Sequence, residues 1–215
     1  HEVRARNKPP GWIVRAFLPQ AASAEVVLEE EARPMRRRHP EGIFEAAFTG
    51  SPRPYRLRIQ RHGGTTEEFE DPYRFPPLLT SFDLHLHAEG TLYEAYHSLG
   101  AHLVEVDGVP GVRFAVWAPN AEVVSVVGDF NDWDTRRHPM RLREGGVWEI
   151  FLPGVTEGAR YKYFVRSRFR GYRELKADPY AFLFETPPRS ASIVTRLDRY
   201  QWGDQAWMEA RARRN

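Results

Sequence analysis

Two stretches of the chain, about one hundred residues apart, alternate apolar and polar positions with a period of two. In the second, Val112, Phe114 and Val116 fall on one face of a strand that runs through Trp117. Ala118-Pro119-Asn120 then makes a turn, because proline fixes φ and asparagine tolerates the bend. Residues 122–127 form a valine-rich second strand suited to a half-buried pleated surface. Gly128-Asp129-Phe130-Asn131-Asp132-Trp133 breaks that strand and sets polar groups beside a large aromatic.

The first stretch repeats this design. Ile13-Val14-Arg15-Ala16-Phe17-Leu18-Pro19 parallels residues 113–119, and Ala24-Glu25-Val26-Val27 matches Ala121-Glu122-Val123-Val124. Gly42-Ile43-Phe44-Glu45 parallels Gly146-Val147-Trp148-Glu149, residues 55–59 parallel 161–165, and Asp71-Pro72-Tyr73 returns as Asp178-Pro179-Tyr180. Short alternating strands with Gly/Pro/Asn turns and little helix predict an all-β protein: two tandem immunoglobulin-like antiparallel β-sandwiches joined by a short helical linker. The expected division is a first sandwich over 1–80, a linker over 81–108, a second sandwich over 109–197 and a connector over 198–215. In the linker, Thr91-Leu92-Tyr93-Glu94 has the form of a capping box, with Leu92, Tyr96 and Leu99 on one helix face and Gly100 as the stop.

Composition narrows the function classes. The 215 residues include no cysteine, which removes disulfides and thiolate metal sites and fits a cytoplasmic protein. No run approaches the ~20 apolar residues of a membrane span, and none resembles a secretory leader. Net charge is only +2, with acidic residues interleaved among the arginines, so no nucleic-acid stripe emerges. Arg36-Arg37-Arg38 reads as a solvated hairpin tip offset by Glu29, Glu30 and Glu31. His85, His87, His97 and His102 cluster in sequence, but no spacing completes a metal site, and no cofactor is expected. Asp204 can cap a helix beginning at Gln205, with Trp202, Trp207 and Met208 left for a partner to cover.

The 128–133 loop has two readings from its residues. It can stack a sugar ring on Trp133 and hydrogen-bond the hydroxyls, or Trp133 can cover the end of the sandwich core. Taken with Gly146-Val147-Trp148-Glu149-Ile150, Tyr161-Lys162-Tyr163, Leu99-Gly100-Ala101-His102, residues 105–109 and Lys176-Ala177-Asp178-Pro179-Tyr180-Ala181, the ordered set resembles the family-48 carbohydrate-binding module. More narrowly it is similar to the version found in bacterial 1,4-α-glucan (glycogen) branching enzymes. That resemblance implies a non-catalytic N-terminal part that binds α-glucan (glycogen, maltooligosaccharides) and packs against a downstream catalytic barrel. It implies Trp133 as a stacking platform, Lys162 as a sugar donor and a second aromatic a few residues later, for which the chain offers Phe169 or Tyr172; Asn131 in the loop is a further candidate partner. Arg189-Ser190-Ala191-Ser192 stands where binding members carry an asparagine. A debranching or trehalose-releasing relative, or a free-standing glycan-binding scaffold, are the alternative readings.

Retaining transfer between sugars needs a carboxylate nucleophile and a carboxylic acid about 5 Å apart, which in this family lie in a (β/α)₈ barrel of ~250 residues. Asp129, Asp132, Asp134 and Asp178 sit among Gly, Asn and Pro, in turn and cap contexts. The sequence therefore predicts that this chain is not itself catalytic.

Overall fold

The computed structural model describes residues 2–3, 11–29, 31–198 and 203–213. The first sandwich is built from β1 (Glu2–Val3), β2 (Gly11–Phe17), β3 (Ala21–Leu28), β4 (Glu31–Pro34), β5 (Arg36–His39), β6 (Ile43–Thr49), β7 (Arg56–Arg61) and β8 (Thr66–Glu70). Its sheets run β1-β2-β6-β5 and β4-β3-β7-β8. Trp12, Val14 and Phe44 from one sheet meet Val26, Leu57 and Ile59 from the other in a single core, because alternation puts every second residue of each strand inward.

After helices α1 (Ser81–Glu89) and α2 (Ala95–Ser98), the second sandwich comprises β9 (Gly100–Val106), β10 (Val109–Trp117), β11 (Ala121–Gly128), β12 (Arg141–Leu142), β13 (Val147–Pro153), β14 (Arg160–Ser167), β15 (Arg173–Lys176) and β16 (Ser192–Ile193). One sheet is β12-β13-β10-β9; the other is β11-β14-β15, with β16 also pairing β14. Phe114, Val116, Ile150 and Leu152 pack against Val124, Val126, Tyr161 and Tyr163. Strand makes up 45% and helix 15%, so the all-β reading stands.

The two sandwiches share detailed geometry. Leu18 donates its N–H to Gly42 O at 2.7 Å, and Ala118 to Gly146 O at 2.9 Å. Both glycines have positive φ, and a Cβ on either would lie 2.6 or 2.7 Å from the Cα of Pro19 or Pro119. A buried carboxylate recurs: Asp71 accepts from Tyr55 O–H at 2.6 Å and Tyr73 N–H at 2.9 Å, and Asp178 accepts from Tyr161 O–H at 2.7 Å and Tyr180 N–H at 2.8 Å. Tyr163 adds a third donor at 3.1 Å. Burial raises both carboxyl groups above the ordinary range, against the pull of these hydrogen bonds.

One sequence correspondence is corrected. The identical Ala-Glu-Val-Val tetrapeptides are three residues out of structural register. Ala21 and Ala121 are the equivalent pair: their N–H groups bond Leu18 O and Ala118 O, both at 3.1 Å, and each precedes a bulge in its strand. Val26 opposite Leu57 therefore matches Val126 opposite Tyr163. Turn geometry sets register, and it outweighs a short identity.

The linker also differs from the sequence reading. The capping box belongs to Thr80 and Asp83 at the start of α1, while Thr91 lies beyond the Gly90 stop. Residues 100–106 form β9, paired along β10, so the linker span ends in a sandwich strand. The segment before α1 is stapled to the second sandwich. Glu149 Oε1 accepts from Leu78 N–H at 2.6 Å and Leu79 N–H at 2.8 Å, and Arg143 bonds both Glu149 and Leu79 O. Arg141 donates to Phe75 O and Tyr73 O, each at 2.7 Å. Leu79, Leu84 and Leu99 close over Ala115 and Val147 in a separate small core.

Two further expectations are modified. Arg36, Arg37 and Arg38 lie in β5 rather than a hairpin tip, and Arg38 is matched by Glu45 at 2.7 Å rather than by the preceding glutamates. Helix α3 (Gln205–Ala212) begins at the expected residue, yet Asp204 makes no side-chain cap. Trp207 is 60% exposed on it. Trp202 lies outside the described residues.

Candidate functional site

The loop after β11 is built around Gly128, where a Cβ would stand 2.2 Å from Arg160 O. A single turn of 3₁₀ helix follows, and Asp132 and Trp133 both take left-handed backbone, at φ 56° and 58°. Asn131 fixes this shape. It is 1% exposed, its Oδ1 accepts from Gly128 N–H at 2.9 Å, and its Nδ2 donates to Val126 O at 3.0 Å. Nδ2 also meets His138 Nδ1 at 3.0 Å. Asn131 is thus turned inward and spent on the loop itself, which corrects its expected place as a ligand partner. Buried amides find internal partners because unsatisfied polar groups are costly.

Trp133 is half-buried. Its N–H bonds Gly128 O at 3.1 Å, and its Nε1–H donates to Asp129 Oδ1 at 3.3 Å. Asp129 in turn takes Arg160 Nε at 2.9 Å and Nη2 at 3.0 Å. The Arg160 hydrogen bonds hold the Asp129 carboxyl below the usual range. Arg160 and Lys162 share the outward face of β14, while Tyr161 and Tyr163 point into the core. Lys162 stands opposite Val127, next to the start of the loop, and its Nζ donates to Ser190 Oγ at 2.8 Å. Hydrogen bonds join Trp133, Asp129 and Arg160, and join Lys162 to Ser190; with Arg160 and Lys162 two residues apart on one face of β14, the five form a strip at one end of the sheet.

Phe169 is not brought to this strip. It is 64% exposed in the turn after β14, where the neighbouring Arg168 N–H bonds Asn120 O at 3.1 Å. That is the opposite end of the strand, five residues or ~17 Å beyond Lys162 at ~3.3 Å per residue. The apolar neighbours of Lys162 on the same outward face are instead Phe164, two residues along β14, and Leu175 opposite it. Asp129, Arg160 and Ser190 were the members missed by sequence reasoning. The first two carry a legible signal, since Gly128 and Tyr161 pair across the sheet and bring their neighbours together. For Ser190 the only signal is its place in the segment where the resemblance expects an asparagine.

Two of the other candidate carboxylates are committed elsewhere, while Asp132 is exposed with Arg137 at 3.8 Å. Asp134 clamps Arg136 through Nε at 3.0 Å and Nη2 at 2.9 Å, which lowers its pKa, and Asp178 is buried against tyrosines. The linker histidines do not converge: His87 tilts against Trp117 and His102 bonds Leu99 O. Among the described residues no three His, Cys, Asp or Glu side chains could hold a metal ion, and no helix is long and apolar enough to cross a membrane.

The first sandwich differs from the second at the equivalent positions. Its residue equivalent to Lys162 is Arg56, opposite Val27, and Arg56 is tied to Glu68 at 2.7 Å. The offset between equivalent residues grows from 100 at Ala21/Ala121 to 105 at Met35/Met140, each methionine bonding back to β3 or β11. The second loop is therefore five residues longer, and it carries the tryptophan.

Comparison with known proteins agrees with this division. Residues 98–181 match carbohydrate-binding module 48 (isoamylase N-terminal domain). Residues 1–73 match the alpha-1,4-glucan branching enzyme GlgB N-terminal domain. The chain is 55% identical over 218 residues to the 1,4-alpha-glucan branching enzyme of Rubrobacter xylanophilus, covering 100% of this chain and 29% of that protein. It is 53% identical over 206 residues to that of Paramagnetospirillum magneticum, covering 95% and 28%. The chain belongs with the N-terminal regions of bacterial 1,4-α-glucan branching enzymes. It spans less than a third of those relatives' length. Within such a region the strip lies entirely on the family-48 module, apart from Ser190, which follows the matched residues.

Proposed function

We propose that this chain is the glucan-positioning, non-catalytic part of a branching enzyme, acting on cytoplasmic glycogen and maltooligosaccharides. Its α-glucan site is the strip on the second sandwich. The observation that supports this most is that Asp129 ties Trp133 to Arg160, which shares the outward face of β14 with Lys162 two residues on. The indole is held by its polar edge, which leaves its carbon skeleton to pack against the C–H face of a glucosyl ring. The Lys162 ammonium, oriented by Ser190, donates to a ring or hydroxyl oxygen. Ser190 stands in the segment where the family's asparagine is expected, and its hydroxyl both accepts from Lys162 and has a proton to give.

Bond cleavage and transfer to a 6-hydroxyl belong to a downstream catalytic barrel. Asp129 and Asp134 are held as arginine partners, and Asp178 faces the core, so these three are not poised as an acid–nucleophile pair. The strip's part is to hold a glucan chain where the barrel can reach it.

A few net hydrogen bonds at about 0.5–1.5 kcal/mol each and one stacking contact must offset the ordering of a flexible glucan. The expected affinity is ~0.1–1 mM. Titrating maltoheptaose and cellohexaose into the chain by NMR tests the reading. Maltoheptaose should shift the Trp133 indole and Lys162 resonances in that range, and cellohexaose should bind at least several-fold more weakly. Equal binding of both would overturn it.

A further inference from the structure

The junction between the two sandwiches forms a second concave surface, separate from the strip. A cleft of about 260 Å³ lies between Phe17, Phe69 and Tyr73 of the first sandwich and Arg136, His138 and Pro139 of the second. A cleft of about 420 Å³ adjoins it on one side, lined in common by Arg15, Asp71 and Tyr73. One of about 210 Å³ adjoins it on the other, lined in common by Phe69, Pro72, Arg137 and His138. Together they make a trench in the size range of small-molecule sites, at a domain junction where such sites concentrate.

The trench offers both components that sugars need. Phe17 is 39% and Tyr73 42% exposed, so each offers ring surface to the trench. Its donors are fixed in advance. Arg15 gives Nε and Nη2 to Glu45 at 3.0 and 2.6 Å, and Arg136 gives Nε and Nη2 to Asp134, so neither clamp uses Nη1. His138 Nδ1 faces Asn131 Nδ2, and the oxygen of the same amide already accepts from Gly128 N–H. Nδ1 is therefore the acceptor, and the imidazole proton sits on Nε2. Tyr73 O–H donates to Pro139 O at 3.0 Å, holding the two walls together.

We propose that this trench is a second α-glucan subsite, taking one or two glucosyl units between Phe17 and Tyr73, with Arg15, Arg136 and His138 donating to hydroxyl and ring oxygens. The inference rests on the reading of the chain as glucan-binding. Charge favours a neutral polyol at the named donors: the Arg15 and Arg136 guanidiniums each already carry a carboxylate, and an anionic ligand would approach those same oxygens. The first sandwich, which lacks the long tryptophan loop, contributes one wall of the trench. Its partner's loop contributes the other, on the segment just after Trp133.

The test is a maltoheptaose titration followed by NMR in wild type, Phe17→Ala and Trp133→Ala, each first shown to be folded by its amide dispersion. Phe17 is exposed enough to be replaced without opening the core. Two independent sets of resonances should shift in wild type, one around Trp133 and Lys162 and one around Phe17, Tyr73 and His138. Phe17→Ala should weaken the second set at least fivefold and leave the first; Trp133→Ala should do the reverse. Shifts confined to the Trp133 set, or a Phe17→Ala variant that binds at both sets like wild type, would overturn the subsite and spare the functional reading. No shift at either set would overturn both.

Discussion

His138 gives the loop a pH dependence of definite sign. Its backbone straps the loop to β11, with Val126 N–H bonding His138 O at 3.2 Å, and its Nδ1 is the acceptor facing Asn131. Burial, helped by the neighbouring Arg137 charge, pushes the imidazole from 6.5 down to about 4. The folded state therefore binds fewer protons than the unfolded state between those two pH values. Stability should be unaffected by this group above about pH 6.5 and should fall as pH is lowered toward 4. At 1.36 kcal/mol per pKa unit the full effect is at most about 3 kcal/mol. Partial exposure of the ring, and local opening of the loop ahead of global unfolding, should reduce it to about 1–2 kcal/mol. Protonation also removes the Nδ1 lone pair from Asn131, so the left-handed backbone at Asp132 and Trp133 should loosen first. The assay is urea unfolding at several pH values from 7 to 4.5 in wild type and His138→Gln, which retains an acceptor and cannot be protonated. Asp71 and Asp178, raised by burial, contribute with the opposite sign, favouring the folded state at low pH. They are unchanged in the variant and cancel in the difference. A His138 ring titrating near 6.5, or identical pH profiles for the two proteins, would refute the reasoning.

Other outcomes follow from the same geometry. Glu149→Ala should destabilise by about 2–4 kcal/mol in chemical denaturation, because it strands the N–H groups of Leu78 and Leu79 and leaves Arg143 without its carboxylate. Gly42→Ala and Gly146→Ala should each cost about 1–3 kcal/mol, from positive φ and the approach to proline backbone, and near-neutral values would contradict the shared turn geometry. Phe169→Ala should leave maltoheptaose affinity within twofold of wild type, since that ring lies at the far end of the sheet from Lys162.

Strand alternation and turn chemistry made the sandwiches legible because both are local properties. Val112, Phe114 and Val116 declare a buried face without knowledge of what they pack on, and the Asp-Pro-Tyr repeat marks two buried carboxylates that the structure places alike. The outward turn of Lys162 was legible for the same reason. Asn131 was misjudged because sequence shows a polar residue in a polar loop, and only the fold shows Gly128 N–H and Val126 O converging on its amide. Phe169 was misjudged because nearness in sequence to Lys162 is, along an extended strand, a separation in space. The Ala-Glu-Val-Val register failed because the turns that start at Leu18 and Ala118 set the alignment and outweigh a short identity. The junction trench was invisible for a further reason: its walls come from residues more than sixty positions apart, and no periodicity links Phe17 or Tyr73 to Pro139.

The claim that the strip on the second sandwich takes α-glucan is tested most directly by removing its platform. Maltoheptaose should be titrated into wild type and Trp133→Ala while the Lys162 and Ser190 resonances are followed. Wild type should show saturable shifts with a Kd of ~0.1–1 mM, and the folded variant should lose at least tenfold in affinity at those resonances. A folded Trp133→Ala protein that moves Lys162 and Ser190 at the same sugar concentration as wild type would show that the tryptophan only covers the core.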